Sequence, residues 1–135
     1  MELNQETLKK AYNYLSKDSC LKFLIKRFSD EIDISERYND NYAKALAFLV
    51  IEQQVSFKAA ITIKKRFSDK INSLTDVEIL NLEINDLQSI GISLRKAHYI
   101  QNVYKYFQDS NFEFKSASNK DIISELTKIK GIGLW

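Results

Sequence analysis

Leu126-Thr127-Lys128-Ile129-Lys130-Gly131-Ile132-Gly133-Leu134-Trp135 holds two of the three glycines in a chain of 135 residues. Two glycines spaced by one isoleucine let the backbone reverse sharply, because a residue without Cβ reaches φ values that other residues avoid. Leucine and isoleucine precede them at helical spacing. The pair therefore reads as a helix stop followed at once by a second helix start. Bare amides at such a start suit an anion such as phosphate, and Ile132 would pin the turn into a core. Lys128 and Lys130 flank the turn, where ammonium groups can reach a nucleic-acid backbone. Standing alone, the segment reads better as a plain glycine helix stop.

Outward from that turn, apolar residues repeat at helical spacing along nearly the whole chain. Leu8, Ala11, Tyr12 and Leu15 mark a first helix. Asp18 caps a second, with Leu21, Leu24, Ile25 and Phe28 inward. Glu31 to Asn39 is polar and reads as the longest loop. Asp40 or Asn41 opens the most apolar helix, with Ala45, Leu46, Leu49, Val50 and Gln53 on its stripe, and so apolar a helix belongs at the centre. Ser56 caps Phe57 to Phe67. Thr75 and Glu78 form a capping box for a short helix reaching Leu82, and Asn85 with Gln88 repeats the pattern for a helix ended by Gly91. Ser93 caps a long helix, with Leu94, Ala97, Ile100, Tyr104 and Phe107 inward. Ser118 or Asn119 opens the last, with Ile122, Leu126 and Ile129 on its core face. Leu87 to Ser93 echoes Leu126 to Gly133 in its order of leucine, isoleucine, glycine, isoleucine and a small residue. With no proline and three glycines, the chain lacks the turn residues that sheets require. The expected fold class is all-α, about eight helices in one domain over residues 1–135, with a hairpin motif near 119–135.

A 44% hydrophobic and 28% charged composition excludes a disordered or collagen-like chain. Twenty basic residues against eighteen acidic leave +2, far from a polybasic protein. Position says more than the sum. Lys58, Lys64, Lys65 and Arg66 have no acid among them, nor do Arg95, Lys96 and Lys105. These form either one basic surface or a set of solvated helix faces. The single cysteine, Cys20, excludes an internal disulfide and a cysteine-built metal site, and its apolar neighbours place it in a core. Met1 to Lys10 is polar, and the apolar run Ala45 to Ile51 falls far short of the ~20 residues of a membrane span. A soluble, intracellular protein with no membrane partner is expected.

Three segments stand in a meaningful order: Ala45 to Ala60, reading ALAFLVIEQQVSFKAA; Ile90 to Ile100, reading IGISLRKAHYI; and the hairpin Lys130-Gly131-Ile132-Gly133. Together they resemble the helix-hairpin-helix DNA glycosylases, specifically the 3-methyladenine glycosylase II (AlkA-like) branch, from Tyr42 to Trp135 with a weaker helical match before. The resemblance implies base-excision repair by a DNA-3-methyladenine (alkylbase) glycosylase. Such an enzyme flips an alkylated purine out of duplex DNA and hydrolyses its N-glycosidic bond. It implies that Lys128, Lys130, Gly131 and Gly133 grip the DNA backbone. It implies further that the carbonyls of Thr127, Ile129 and Ile132 hold a monovalent cation, K+ or Na+, with no other cofactor. Gln53 then borders the base pocket, and Gln54 is the wedge that fills the gap left by the flipped nucleotide. Trp135 matches a pocket tryptophan, whose indole face attracts a cationic alkylpurine. Bifunctional relatives have a strand-cutting lysine at that position, so tryptophan implies a monofunctional glycosylase. Leu49 stands where a mismatched-adenine glycosylase has its catalytic glutamate, which disfavours that activity. The implied partner is double-stranded DNA containing alkylated bases, bound by a monomer in the cytoplasm with the nucleoid.

Catalysis of this kind needs a carboxylate beside the sugar to stabilise developing oxocarbenium charge. The resemblance places that aspartate C-terminal to the hairpin, beyond Trp135, so no catalytic residue is expected within the chain. Glu52 reads as solvated, Asp121 as a first-turn residue favoured by the helix dipole, and His98 as a surface residue. The expectation is the front portion of an alkylated-base glycosylase, cut short inside its hairpin motif. The alternative is a catalytically inactive helical module that binds DNA.

Overall fold

Short polar side chains start most of the helices, because each supplies an acceptor for backbone N–H groups that the first turn leaves without partners. The computed structural model describes residues 4–32 and 41–134. Residues 33–39 of the expected long loop lie outside the described residues. Contacts divide the chain into two compact units, Met1–Asn39 and Asp40–Trp135.

In the first unit, Asn4 caps α1 (Gln5–Leu15), and the Asp18 carboxylate caps α2 (Ser19–Phe28) by accepting from the Cys20 and Leu21 N–H groups, both at 2.9 Å. The two helices pack on one another, and a 3-10 turn, Ser29–Glu31, follows. No residue of α1 or α2 is buried. Cys20 is exposed, so its apolar neighbours do not place it in a core. Two short helices leave every side chain partly in solvent.

In the second unit, Asn41 caps α3 (Tyr42–Glu52), Ser56 caps α4 (Phe57–Ile71) and Thr75 caps α5 (Asp76–Leu80) with the full reciprocal box to Glu78. The helix α6 (Ile84–Ser89) follows, then α7 (Leu94–Asp109) capped by Ser93, and α8 (Asn119–Leu126) capped by Ser118. The architecture is all-α, with eight α-helices and no strand among the described residues. Three boundaries differ from the sequence reading. α4 runs one turn past Phe67, α5 stops at Leu80, and α6 starts at Ile84 with Glu83 in the capping position and no side-chain cap. Asn85 therefore lies inside α6, while Asp86 pairs with Lys70 at 2.8 Å, which holds its carboxyl below the usual aspartate range.

The closest packing is between α3 and α7, with α4 against α3 and with α5 and α6 against α7. α3 buries Ala43, Ala47, Val50 and Ile51, and α7 buries Ala97, Ile100, Val103 and Tyr104. Alanines on both helices permit a short interaxial distance. The expected stripe on α3 is rotated: Leu49 is 49% exposed, and Ala45 and Leu46 are half-buried. α3 is apolar almost all round, so its periodicity leaves the facing side open. Leu94, expected inward, is exposed at the first position of α7. α6 ends in a glycine turn with both bonds of a Schellman motif, Gly91 N–H to Gln88 O and Ile92 N–H to Leu87 O, and Gly91 has φ +101°.

Tyr104 is 1% exposed, and its hydroxyl finds no hydrogen-bond partner among the described residues. Burial, with the nearby Asp76 charge, pushes its pKa far above the tyrosine range. Burying an unpaired hydroxyl costs about 1–3 kcal/mol, so Tyr104→Phe, which keeps the ring, is expected to raise the melting temperature. A lower melting temperature would mean that the hydroxyl is bonded.

Candidate nucleic-acid interface

The chain leaves α3 through Gln53, at ψ 129°, and turns on Gln54, which has φ +55°. Left-handed backbone is sparsely allowed for a residue with a side chain and costs about 1–3 kcal/mol, so the surrounding structure must hold it. Both glutamines are exposed on this turn, and the Ser56 hydroxyl closes it by accepting from Ala59 N–H at 3.3 Å. Two cationic side chains at the start of α7 reach it. Lys96 Nζ donates to the Ile51 carbonyl at 2.9 Å, and Arg95 Nη2 donates to Gln54 Oε1 at 3.5 Å. Burial first and Arg95 second lower the Lys96 pKa.

The hairpin forms from consecutive tight turns after α8. Ile129 N–H donates to Leu126 O, and Ile132 N–H donates to Ile129 O. Gly131 sits between them at φ +111°, directly against the Tyr99 ring. Ile129 is buried and Ile132 packs on the core, as the sequence predicts for the residue that pins the turn. Asn102 Nδ2 donates to the Lys130 carbonyl at 3.1 Å. Lys130 and Gly133 are exposed, while Lys128 pairs with Glu125 at 2.5 Å. That pair lowers the Glu125 pKa and raises that of Lys128. Glu125 also accepts the Tyr106 hydroxyl at 3.0 Å. Thr127 turns its hydroxyl back to the Ile123 carbonyl at 2.8 Å. Of the carbonyls of Thr127, Ile129 and Ile132 expected to hold a cation, that of Ile129 accepts the Ile132 N–H at 3.0 Å. Trp135 lies outside the described residues.

Glu52, read as solvated, pairs with Lys64 at 2.6 Å, and Lys64 lies over the Phe48 ring, so the basic run on α4 is interrupted. Asp121 serves the α8 cap through Ser118. His98 is exposed. An open groove of about 460 Å³ between α7 and α8 adjoins the hairpin, lined by Lys128, Ile129 and Lys130 with Asn102, Tyr106 and Glu125 among others, and neither glutamine borders it. No cluster of His, Cys, Asp and Glu that could hold a metal occurs among the described residues. No described helix is long and apolar enough to cross a membrane.

Sequence reasoning picked out Gln53, Gln54 and the hairpin but missed how α7 serves them. Arg95 contacts Gln54 across 41 residues, Lys96 contacts Ile51 across 45, and Asn102 contacts Lys130 across 28. A signal was present in the helical phase. At ~100° per residue, positions 95, 96, 99 and 102 fall on one face of about 120°.

The sequence pattern of the HhH-GPD superfamily, described as base excision DNA repair proteins, matches residues 48–131. DNA-3-methyladenine glycosylase 1 of Schizosaccharomyces pombe is 31% identical over 93 residues, covering 64% of this chain and 41% of that protein. The Bacillus subtilis protein YfjP is 28% identical over 97 residues, covering 64% of this chain and 34% of its own length. A crystal structure of a DNA-3-methyladenine glycosidase from Bacillus halodurans superposes with a TM-score of 0.64 and 29% identity, over 72% of this chain and 47% of that one. The chain therefore spans less than half the length of each of these relatives.

Proposed function

The chain belongs to the HhH-GPD superfamily of base excision DNA repair proteins, and from that premise we propose that it supplies the DNA-gripping and base-flipping elements of an alkylpurine glycosylase. The reaction served is hydrolysis of the N-glycosidic bond of 3-methyladenine-type bases in duplex DNA, acting as a monofunctional enzyme. The observation that carries the reading is the pairing of two positive-φ turns, Gln54 at +55° and Gly131 at +111°, on one supporting helix. Gln54 enters the gap left by the flipped nucleotide. Gln53 borders the base, and Trp135 offers an indole face to a cationic purine, an attraction of about 1–2 kcal/mol. The hairpin amides and Lys130 hold phosphate. A K+ or Na+ ion on the carbonyls of Thr127, Ile129 and Ile132 would add positive charge beside that phosphate. The partner is double-stranded DNA containing alkylated bases, bound by a monomer.

A second reading, a DNA-binding module without glycosylase chemistry, is favoured by how the chain uses its carboxylates. Glu52, Asp86 and Glu125 are paired with lysines, and Glu78 and Asp121 serve caps. Measuring binding to duplexes with and without 3-methyladenine, and counting released base, separates the two. Tighter binding of the alkylated duplex supports the first, equal binding of both duplexes supports the second, and turnover by the chain alone would overturn the placement of the catalytic carboxylate beyond Trp135. Failure to bind duplex at low salt would overturn both. Lys130→Ala is expected to reduce the salt dependence of binding by about one counterion. Lys128→Ala is expected to reduce it by less, because Glu125 already holds that ammonium.

A further inference from the structure

We propose that α7 is a rod that locks the Gln54 turn and the glycine hairpin at one fixed spacing, so that gripping the DNA backbone and filling the gap are a single coupled event. Lys96 and Asn102 are its positioning residues. The inference rests on the DNA-contacting roles proposed above for Gln54 and the hairpin.

One face of α7 touches both elements. Lys96 donates to the Ile51 carbonyl at 2.9 Å, in the last turn of α3, where carbonyls lack intrahelical partners and the helix dipole favours a cation. This fixes where the chain leaves α3, immediately before Gln53 and Gln54. Arg95, one residue earlier, reaches the Gln54 side chain itself. Further along the same face, Tyr99 lies under Gly131, and Asn102 donates to the Lys130 carbonyl at 3.1 Å. At 1.5 Å per residue, the two anchor points stand about 9 Å apart along the helix. The neighbouring face of α7 carries Ala97, Ile100, Val103 and Tyr104, all buried, and α3, α5 and α6 pack against the helix. A helix held on that side neither slides nor rotates without disturbing the core, because packed interiors are close to crystal density. Each DNA-contacting element is thus tied to the rod by a side-chain-to-carbonyl bond that spans many residues of sequence. Losing either bond loosens one element relative to the other while leaving the buried core residues in place.

The test is a double-mutant cycle on duplex binding, read by fluorescence anisotropy with two probes: an intact duplex and the same duplex carrying a tetrahydrofuran abasic site. The variants are Gln54→Ala, Asn102→Leu and their combination; leucine matches asparagine in size, favours helix and cannot donate. In the otherwise native chain, Gln54→Ala is expected to weaken binding to the abasic duplex about tenfold; in the Asn102→Leu background the same change is expected to cost less than about threefold. On the intact duplex, where no gap receives the wedge, the cycle is expected to be additive. Additivity on the abasic duplex would overturn the rod. An unaltered affinity of Gln54→Ala for the abasic duplex would overturn the wedge role and the rod with it, a pattern distinct from additivity. Melting curves of every variant show whether the fold survives. Lys96→Met repeats the cycle from the other anchor, and Lys96→Arg, which keeps a cationic donor, is expected to restore the coupling. If Asn102→Leu fails to fold, the lysine pair decides the matter by the same criterion.

Discussion

Gly131→Ala is expected to lower the melting temperature by more than ten degrees and to abolish duplex binding through the hairpin. Two separate costs act at this position. The backbone stands at φ +111°, which an alanine adopts only with strain of about 1–3 kcal/mol. The added Cβ would also lie 2.6 Å from Tyr99 Cδ1 and 2.7 Å from Tyr99 Cβ, with Cγ in contact as well. These are atoms at the base of a ring on a packed helix, so they have little room to move away. Gly91→Ala is the informative comparison. Its φ of +101° imposes similar strain, but the new Cβ would meet Ile63 Cγ1 at 3.4 Å, an ordinary contact. Thermal melts of the two variants are therefore expected to show a drop several degrees larger for Gly131→Ala. Equal drops would mean that Tyr99 does not brace the hairpin.

Phe67→Ala is expected to remove about 3–5 kcal/mol, a large part of the ~5–15 kcal/mol that holds a domain folded. Phe67 has no exposed surface and meets Phe48 edge-on, with ring centres 6.1 Å apart and planes at 75°. Phe48 in turn sits beneath the ammonium groups of Lys44 and Lys64, at 5.7 and 5.3 Å from its ring centre. Emptying position 67 leaves a cavity under this layer and loosens the contact of α4 with α3. Urea or thermal unfolding followed by circular dichroism would measure the loss, and Phe67→Leu is expected to lose less because it fills more of the space. A loss below 1 kcal/mol for Phe67→Ala would place the residue outside the core.

The legible part of the fold was the part written in hydrogen bonds of short range. Asn4, Asp18, Asn41, Ser56, Thr75, Ser93 and Ser118 each accept from a backbone N–H two or three residues ahead. Six of these helix starts are legible in local sequence, at Asn41 and Ser118 with a neighbour as alternative, and the Asn4 cap is not among them. The exceptions have the same logic. Asn85 looked like a cap, but α6 opens one residue before it, and the Asp86 side chain is taken by Lys70 from another helix. Leu49 and Leu94 looked like core residues, yet their facing depends on which neighbours arrive, and local spacing is silent on that.

The candidate site divides the same way. The sequence by itself determined that the protein is all-α, that a glycine turn follows its last helix, and that two glutamines end its most apolar helix. Steric freedom at glycine, capping and hydrophobic periodicity all act over a few residues, so they are present in any short window of the chain. Only the tertiary structure decided which face of α3 is buried, that Gln54 takes a left-handed backbone, and that Lys96 and Asn102 of one helix hold both elements. Those outcomes depend on contacts between residues 28 to 45 positions apart, made when α3 and α7 bury their alanines against each other. A pattern confined to one helix contains no record of the partner that completes it.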